Sequence, residues 1–310
     1  MADKWASRGA QIAKTNPLYA RYCCIFSNPS ASQSGRAIAV GLLCCAAMEP
    51  SVYQYPSIFR RVHMEKPGEI EEETDFLRKV WRRHLKRPVR RVLDIASGDS
   101  PHGRILAREG MRVVGIDRSP TMIAAGKQSS REGGGVRFYR REIKRFAIPE
   151  RRFDAAFFMS ETFPVLISNR DLLSHLQSVG NLLQRDGLYC IDIDKMDRIR
   201  MVRERKRWQQ RMVRTDDAVV DVTTYDRPFP WHSGIGSIFE LECQIRFRER
   251  PEEVVTTRDV IPIRYTIPPL LELAAKASRM FEMIAVYTDL SFITPLDECD
   301  RRWMGVLRRV

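Results

Sequence analysis

The stretch that decides the expected fold reads Arg91-Val-Leu-Asp-Ile-Ala-Ser-Gly-Asp-Ser-Pro-His-Gly103. Its first residues form a short, mostly apolar run of the kind that makes a buried strand. Ser100-Pro101 then gives a helix start, with serine as N-cap and proline at the first helical position. Between the two, Gly98 has no side chain, so the backbone of the turn can approach a ligand closely. The stretch therefore predicts a strand, a ligand-binding turn and a helix.

The same alternation of strand and helix continues on both sides of this stretch. Apolar strands are predicted over 111–117, 136–142, 153–160 and 188–193, and helices over 69–86, 100–110 and 171–184, with another helix start at Ser119-Pro120. Continuous apolar strands that alternate with helices are typical of a parallel sheet covered on both faces. Ligands of such sheets bind beyond the carboxyl ends of the strands. The pattern therefore predicts a doubly covered α/β sheet with its site at that edge.

The character of the chain changes after Asp194. Lys195 to Arg214 is strongly basic, and we expect it to form a solvated helix or, alternatively, to attract an acidic acceptor or RNA. Three segments with alternating apolar and polar residues follow, which predicts a small antiparallel β insertion. They are 219–225, 237–248 and 254–265, and after them we expect a helix over 268–278 and strands near 281–290 and 303–307.

The net charge of +13 first suggests a polyanion partner, but the charge is unevenly distributed. Residues 1–47 carry +4 and residues 195–214 carry +7, which leaves +2 for the remaining residues. The body of the protein is therefore nearly neutral, and its basic character is a property of one leader segment and one linker.

Cysteine usage and hydropathy exclude several classes of protein. The seven cysteines form no Cys-x-x-Cys pair, so we expect neither a zinc site nor a redox motif, and no metal. An odd number with adjacent doublets is a poor disulfide framework, which favours a reducing, cytoplasmic location. The longest uncharged apolar run, 37–48, has 12 residues, short of the roughly 20 that a membrane span needs.

The first 47 residues differ from the rest and set the predicted domain boundaries. They are basic and poor in acids, as in a transit peptide, whereas a signal-peptide core over 38–47 would begin too far from Met1. The alternative is that Met48 is the true initiator. We expect an extension over 1–47, a helical cap over 48–88, a core over 89–200 and 266–310, and a lid-like β insertion over 201–265.

The Asp94–Gly103 stretch, followed by Gly115-Ile116-Asp117, resembles the class I S-adenosylmethionine-dependent methyltransferases. Members of that family read roughly (V/L)-L-D-(I/L)-G/A-C/S-G-x-G at the first strand and V-x-G-(I/V)-D-x-S at the second. The resemblance covers 53–310 and is strongest over 89–194. It implies a Rossmann-like α/β fold with a seven-stranded sheet of order 3-2-1-4-5-7-6, an S-adenosyl-L-methionine co-substrate, and a β insertion after the fifth strand like that of small-molecule members.

A dinucleotide-binding enzyme is the competing interpretation of this region. Asp117 follows Gly98 by 19 residues, a spacing that suits a ribose-binding carboxylate in either class. However, the G-x-G-x-x-G window reads Ala96-Ser-Gly-Asp-Ser-Pro101, with one of the three glycines. It also adds Asp99, which would repel a pyrophosphate but not a net-cationic methyl donor. The window therefore favours the methyltransferase.

The resemblance also implies which residues bind the donor. Asp94 and the Ala96–Gly98 loop would hold its methionine part, Asp117 its ribose, and Arg118 with Met122 would flank its adenine. Glu142 stands where the family usually has aspartate, and Ser100 where it usually has glycine. Each residue also has a structural interpretation, such as backbone capping for Asp94 or ordinary packing for Tyr53 and Tyr55. The full predicted donor set is Tyr55, Asp94, Ala96, Ser97, Gly98, Asp117, Arg118, Met122, Glu142, Ile143, Met159 and Ser160.

The methyl acceptor is less well defined by the sequence. The segment Ser160-Glu-Thr-Phe-Pro164 lacks the Asn/Asp-Pro-Pro-aromatic tetrad common in nucleic-acid amine methyltransferases. A small-molecule acceptor, methylated on nitrogen or oxygen, is therefore favoured, with nucleic acid and a non-catalytic binding protein as alternatives. Glu161 and His232 are candidate general bases or merely lining residues. The loop that holds Tyr225, Trp231 and His232 is either a cage for a cationic amine or a packed hairpin.

Overall fold

The fold contains two sheets, of seven and four strands. The computed structural model describes residues 50–63, 68–131, 135–160, 162–194, 205–228, 236–295, 298 and 302–310. Its helices are α1 (Pro56–His63), α2 (Glu69–His84), α3 (Pro101–Arg108), α4 (Pro120–Arg131), α5 (Asn169–Leu182) and α6 (Pro268–Ser278). Its strands are β1 (Arg91–Ile95), β2 (Arg112–Asp117), β3 (Val136–Arg140), β4 (Phe153–Phe158), β5 (Leu183–Asp194), β6 (Lys206–Arg214), β7 (Ala218–Pro228), β8 (Gly236–Phe247), β9 (Val254–Arg264), β10 (Phe281–Thr288) and β11 (Arg302–Arg309).

The larger sheet has the order β3-β2-β1-β4-β5-β11-β10. Neighbours among β1 to β5 are parallel, whereas β11 runs antiparallel to both β5 and β10. Since β10 and β11 are the sixth and seventh strands of this sheet, the expected order 3-2-1-4-5-7-6 is confirmed. Because β1, β2 and β4 run parallel, their carboxyl ends lie at the same edge of the sheet.

Both faces of the larger sheet are covered by apolar helix surfaces. On one face, Leu172 and Leu176 of α5 and Leu271 of α6 pack against Ile95 and Ile191. On the other face, side chains of α2, α3 and α4 pack against the remaining side chains of the same strands. All six residues of β4 are buried, which is why that strand is apolar at every position but Asp154 rather than alternating.

The smaller sheet is an antiparallel meander of order β6-β7-β8-β9, inserted between β5 and α6. One of its faces is apolar and packs on the segment before the core: Val52, Ile58 and Val62 contact Val220 and Leu241. The other face carries charged residues. A β insertion after the fifth strand was expected from the sequence, and it contains one more strand than the three alternating segments indicated.

That additional strand corrects the expected solvated helix over 195–214. Residues 206–214 form β6, while 195–204 lie outside the described residues. Residues 206–214 contain few apolar residues, so a period of two is hard to recognise in the sequence. The preceding residue, Arg205, pairs with Glu240 and Glu242 of β8 across the sheet. Such pairing between segments far apart in the chain is not visible in a local pattern.

Two helix ends also differ from the sequence expectation. Ser100 has a left-handed backbone, with φ 56°, and makes no side-chain cap bond to α3. Helix α5 begins earlier than expected, because Ser168 caps the Asp171 amide at 3.0 Å, and it ends at Leu182. The strand that follows, β5, begins directly at Leu183, within the range 171–184 expected for the helix. The domain boundaries remain predictions.

Candidate functional site: a donor edge at the ends of β1, β2 and β4

The turn after β1 has an unusual backbone at three alternate positions. Ala96, Gly98 and Ser100 have φ of 52°, 54° and 56°, the left-handed region in which a side chain is unfavourable. The amide of Ser97 donates to the Ile116 carbonyl of β2 at 3.0 Å, which anchors the turn to the neighbouring strand. A Cβ on Gly98 would lie 3.1 Å from Met122 Cε. The turn is therefore a tight cradle that a side chain at residue 98 would partly fill.

Asp94 lies at the base of this cradle. It is buried, and its Oδ2 accepts a hydrogen bond from the Ser100 hydroxyl at 2.6 Å. Burial raises the pKa of the Asp94 carboxyl to about 7, against the lowering effect of Ser100 and of His102. Ser100, expected as a helix cap, therefore holds Asp94 instead. Gly103 makes this possible, since a Cβ there would lie 2.1 Å from Ser100 Oγ.

Asp117 ends β2 next to the same turn. Its Oδ2 accepts from the Gly98 amide at 2.9 Å and its Oδ1 from the Ser119 amide at 2.7 Å. Burial raises its pKa, although these amides favour the charged form. The Ser119 hydroxyl in turn accepts from the Met122 amide at 3.2 Å, so the expected serine cap of α4 is present. The structure thus brings Asp117, Gly98 and Met122 together as the sequence predicted.

The remaining predicted adenine-side residues follow β2 and β3. Arg118 is exposed. The Arg141 amide donates to the Asp117 carbonyl at 2.8 Å, which places the next residue, exposed Glu142, in the loop that runs beside Asp117. The Ile143 carbonyl contacts His175 Nδ1 at 2.7 Å and thereby fixes that loop to α5.

The two N-terminal tyrosines have different surroundings. Tyr55, predicted to cover the donor, packs against Phe247 of the smaller sheet with ring centroids 5.8 Å apart. Burial raises the pKa of Tyr53 to about 12, and the charges of Arg118 and Asp117 also act on it. The charge of Asp259 on β9 acts on Tyr53 as well, so Tyr53 lies near both Asp117 and the β insertion, while Tyr55 contacts the insertion.

The predicted acceptor-side residues are only partly described. Met159 is buried at the end of β4, and the next residue, Ser160, is exposed with φ 59°. Glu161 and His232, the candidate bases, and Trp231 lie outside the described residues. The Tyr225 ring is covered by the Arg205 guanidinium, whose Cζ is 3.4 Å from the ring centroid. That face of Tyr225 therefore already holds a cation from the chain itself.

Sequence reasoning missed the partners of Asp99. This buried carboxylate pairs with Arg60 of α1 and with Arg104 of α3, whose Nη1 lies 2.9 Å from Asp99 Oδ2. Arg60 is 39 residues away in the chain, and no local pattern connects the two. The pairs fasten the N-terminal helix to the donor turn.

A buried ionic network beneath the donor turn was also missed. His102 of α3 contacts Glu73 of α2, and Glu73 contacts Arg302, which also lies 3.3 Å from Asp192 of β5. Burial alone would raise the pKa of Glu73, but His102 and Arg302 hold it below its ordinary value. Burial opposes charge on His102 as well, yet Glu73 raises the His102 pKa. The network therefore places His102, whose pKa is raised by Glu73, where its charge acts on Asp94.

Three further features of the described residues concern metal binding, membrane spans and thiols. Within the described ranges, no group of three or more His, Cys, Asp or Glu side chains is arranged to hold a metal ion. Among the helices of those same ranges, none combines the length and apolar character required to cross a bilayer. Cys190 and Cys243 are both buried, free thiols.

Comparison with known structures identifies the class to which this fold belongs. A S-adenosylmethionine-dependent methyltransferase from Clostridium acetobutylicum superposes with a TM-score of 0.65 over 81% of this chain and 95% of its own, at 15% identity. The sugar N-methyltransferase KedS8 from Streptoalloteichus gives 0.63 over 91% and 98%, at 18% identity. The fold is that of the class I S-adenosylmethionine-dependent methyltransferases.

Sequence comparison agrees with this class. Residues 92–187 match the family described as a methyltransferase domain. The glycine/sarcosine N-methyltransferase of Parasynechococcus marenigrum is 29% identical over 137 residues, which cover 42% of this chain and 45% of that protein. The chain spans about half the length of the curated relatives it matches. Residues 92–187 therefore resemble a methyltransferase domain, and the fold agrees with the expected class.

Proposed function

We propose that the protein transfers the methyl group of S-adenosylmethionine to a nitrogen or oxygen atom of a small-molecule acceptor. The observation that carries the proposal is the junction of the two donor motifs, where the Gly98 amide meets Asp117 Oδ2 at 2.9 Å. This contact joins a glycine cradle and a carboxylate at the carboxyl edge of a parallel sheet, where such folds bind ligands.

The chemistry of the donor matches the residues at this edge. Asp117 can accept hydrogen bonds from both ribose hydroxyls, because each of its oxygens retains a further lone pair. Asp94 uses Oδ2 for Ser100, which leaves Oδ1 for the donor's ammonium group. Met122, buried against Gly98, offers an apolar surface for the adenine. Met159, Ser160, Glu142 and Ile143 would complete the pocket.

Transfer itself would depend mainly on position. Holding the donor methyl group against the acceptor supplies effective molarities up to about 10⁵–10⁸ M without a cofactor of another kind. An acceptor that arrives protonated needs a base, for which Glu161 and His232 stay our candidates. The smaller sheet would close over the acceptor and exclude water.

One residue of the basic segment, Arg205, favours the small-molecule proposal over an RNA methyltransferase. Arg205 pairs with Glu240 and Glu242 and stacks on Tyr225. A side chain held in this way is not free to bind phosphate. The segment match to a glycine/sarcosine N-methyltransferase also supports a small acceptor.

The proposal predicts that Asp117→Ala abolishes donor binding. Loss of the charged acceptor of the ribose bonds should weaken the affinity for S-adenosylmethionine by about 10- to 100-fold or more, as measured by titration calorimetry. Asp221→Ala is the matched control, since Asp221 lies on β7 and pairs with Arg246 at 2.5 Å. Asp117→Asn, which keeps one acceptor oxygen, separates lost binding from a collapsed turn. Unchanged affinity for S-adenosylmethionine in a folded Asp117→Ala protein would contradict the proposed role of Asp117.

A further inference from the structure

Arg264 is a partly buried cation without a carboxylate partner in the described part of the chain. It ends β9, opposite Gly236 of β8. Its Nη1 donates to the Ile167 carbonyl at 3.4 Å, a long bond that uses one of the five N–H donors of the guanidinium. Burial lowers the pKa of Arg264, with no neighbouring carboxylate acting against it. Partial desolvation of an unpaired charge costs stability.

Several other arginines of the smaller sheet lie against carboxylates of the same sheet. Arg205 and Arg258 lie 2.7 and 2.8 Å from Glu240, and Arg227 contacts the same carboxylate. Arg246 pairs with Asp221. Arg207 and Arg214 of β6 contact Gln210 and Met212 instead, but both are exposed to solvent, whereas Arg264 is partly buried. Partial burial without a carboxylate partner makes Arg264 the candidate for binding a ligand.

The position of Arg264 indicates what kind of ligand. Ile167 belongs to the loop that leaves the carboxyl end of β4, just after the 3₁₀ helix Phe163–Val165. That end of β4 lies at the same sheet edge as Asp94 and Asp117, since Asp94 is in register with Phe157. The guanidinium therefore reaches from the smaller sheet to the edge where the donor would bind, on the β4 side where an acceptor would enter.

We propose that Arg264 binds an acidic group of the methyl acceptor, so that the acceptor is a small molecule carrying a carboxylate. This inference rests on the proposed function and deepens it. The planar fork of a guanidinium matches a carboxylate in geometry, and one arginine matches its single charge. A phosphate dianion would leave a charge uncompensated beside a single arginine. Arg264 would thus be a specificity-determining residue that orients the acceptor between the β insertion and the donor.

The test measures anion binding directly. Trifluoroacetate is titrated into protein saturated with S-adenosylhomocysteine and followed by ¹⁹F NMR, with trifluoroethanol as the neutral analogue and phosphate as a competitor. We expect saturable binding of trifluoroacetate to the wild type and a loss of affinity of about 10- to 100-fold in Arg264→Met. Arg246→Met, which removes an arginine of the same sheet that already has a partner, should bind as the wild type does.

Stability and donor binding complete the test. Arg264→Met should keep or raise the unfolding midpoint, because it removes a partly desolvated, unpaired charge, and should leave the affinity for S-adenosylhomocysteine unchanged. The inference is overturned by equal trifluoroacetate binding in Arg264→Met, by no saturable binding in the wild type, or by binding of phosphate alone. Failure of all variants to bind S-adenosylhomocysteine would instead reject the proposed function, and trifluoroacetate titration of the unloaded protein would still report on Arg264.

Discussion

Asp94 and Asp117, the carboxylates near the carboxyl ends of β1 and β2, have similar sequence patterns but different surroundings. Asp94 and Asp117 were both predicted from their motifs, since a strand ending in aspartate beside a glycine turn is a local pattern. Their environments were not, because burial depends on packing from distant elements. Asp117 is held by two backbone amides, whereas Asp94 has one hydroxyl and a buried position. Asp94 therefore has a pKa of about 7 and titrates in the physiological range.

This difference predicts a pH-dependent donor affinity. The donor's ammonium group prefers the ionised carboxylate, so the affinity for S-adenosylmethionine should rise between about pH 6 and pH 8, by at most about tenfold per pH unit for one proton. Calorimetry in two buffers of different ionisation enthalpy should detect proton release near pH 6.5. Ser100, His102, Asp99 and Asp117 surround or act on Asp94, so Asp94→Asn is needed to isolate it.

The same shift has a defined sign for stability. The folded protein binds the Asp94 proton more tightly than the unfolded chain, whose aspartate has a pKa near 3.8. The contribution of Asp94 to the free energy of unfolding is therefore present at low pH and is lost as the pH rises toward about 7. Asp94→Asn should remove this component and the pH dependence of donor binding together. A pH-independent donor affinity in the wild type would contradict the assigned role.

At the scale of elements, the strands and helices of the larger sheet were predictable and the linkage between elements was not. Apolar runs such as 153–158, together with Ser-Pro helix starts, are local signals that the sheet then satisfies. In β6 the charges hide the strand period, and the preceding residue, Arg205, has its partners on β8. Similarly, His102 was recognised only as a helix residue beside the donor loop, because Glu73 and Arg302 are remote in sequence.

The buried network predicts a large effect of one substitution on stability. Glu73→Gln removes the charge that His102 and Arg302 share, so His102 loses its carboxylate partner, while Arg302 keeps Asp192 and Glu69. Breaking a buried ion pair in this way costs about 3–5 kcal/mol, so chemical denaturation should show a loss of that order.

Glu71→Gln is the matched control, because Glu71 is an exposed glutamate on the same helix, α2, and its loss should change stability little. The destabilisation in Glu73→Gln should diminish when His102→Gln is combined with it, since the imidazole that lost its partner is then gone. Equal stability of Glu73→Gln and Glu71→Gln would show that the network does not join α2, α3, β5 and β11 energetically.

At the scale of the whole molecule, the net charge of +13 has a local explanation rather than a global one. Several arginines of the smaller sheet form ion pairs with Glu240 or Asp221. The larger sheet pairs its own charges at Asp99 and Glu73. The molecule therefore consists of an almost neutral body and a charged β insertion in which several arginines are paired internally.

The most direct measurement is a crystal structure of the protein with S-adenosylhomocysteine bound. We expect the ribose hydroxyls to bind Asp117, the amino-acid part to lie beside Asp94 and the Ala96–Gly98 turn, and the adenine to pack against Met122. Density for an acceptor or a carboxylate additive should then lie within reach of Arg264. A ligand bound elsewhere on the protein, or at this edge with Asp117 making no contact to the ribose, would contradict this expectation.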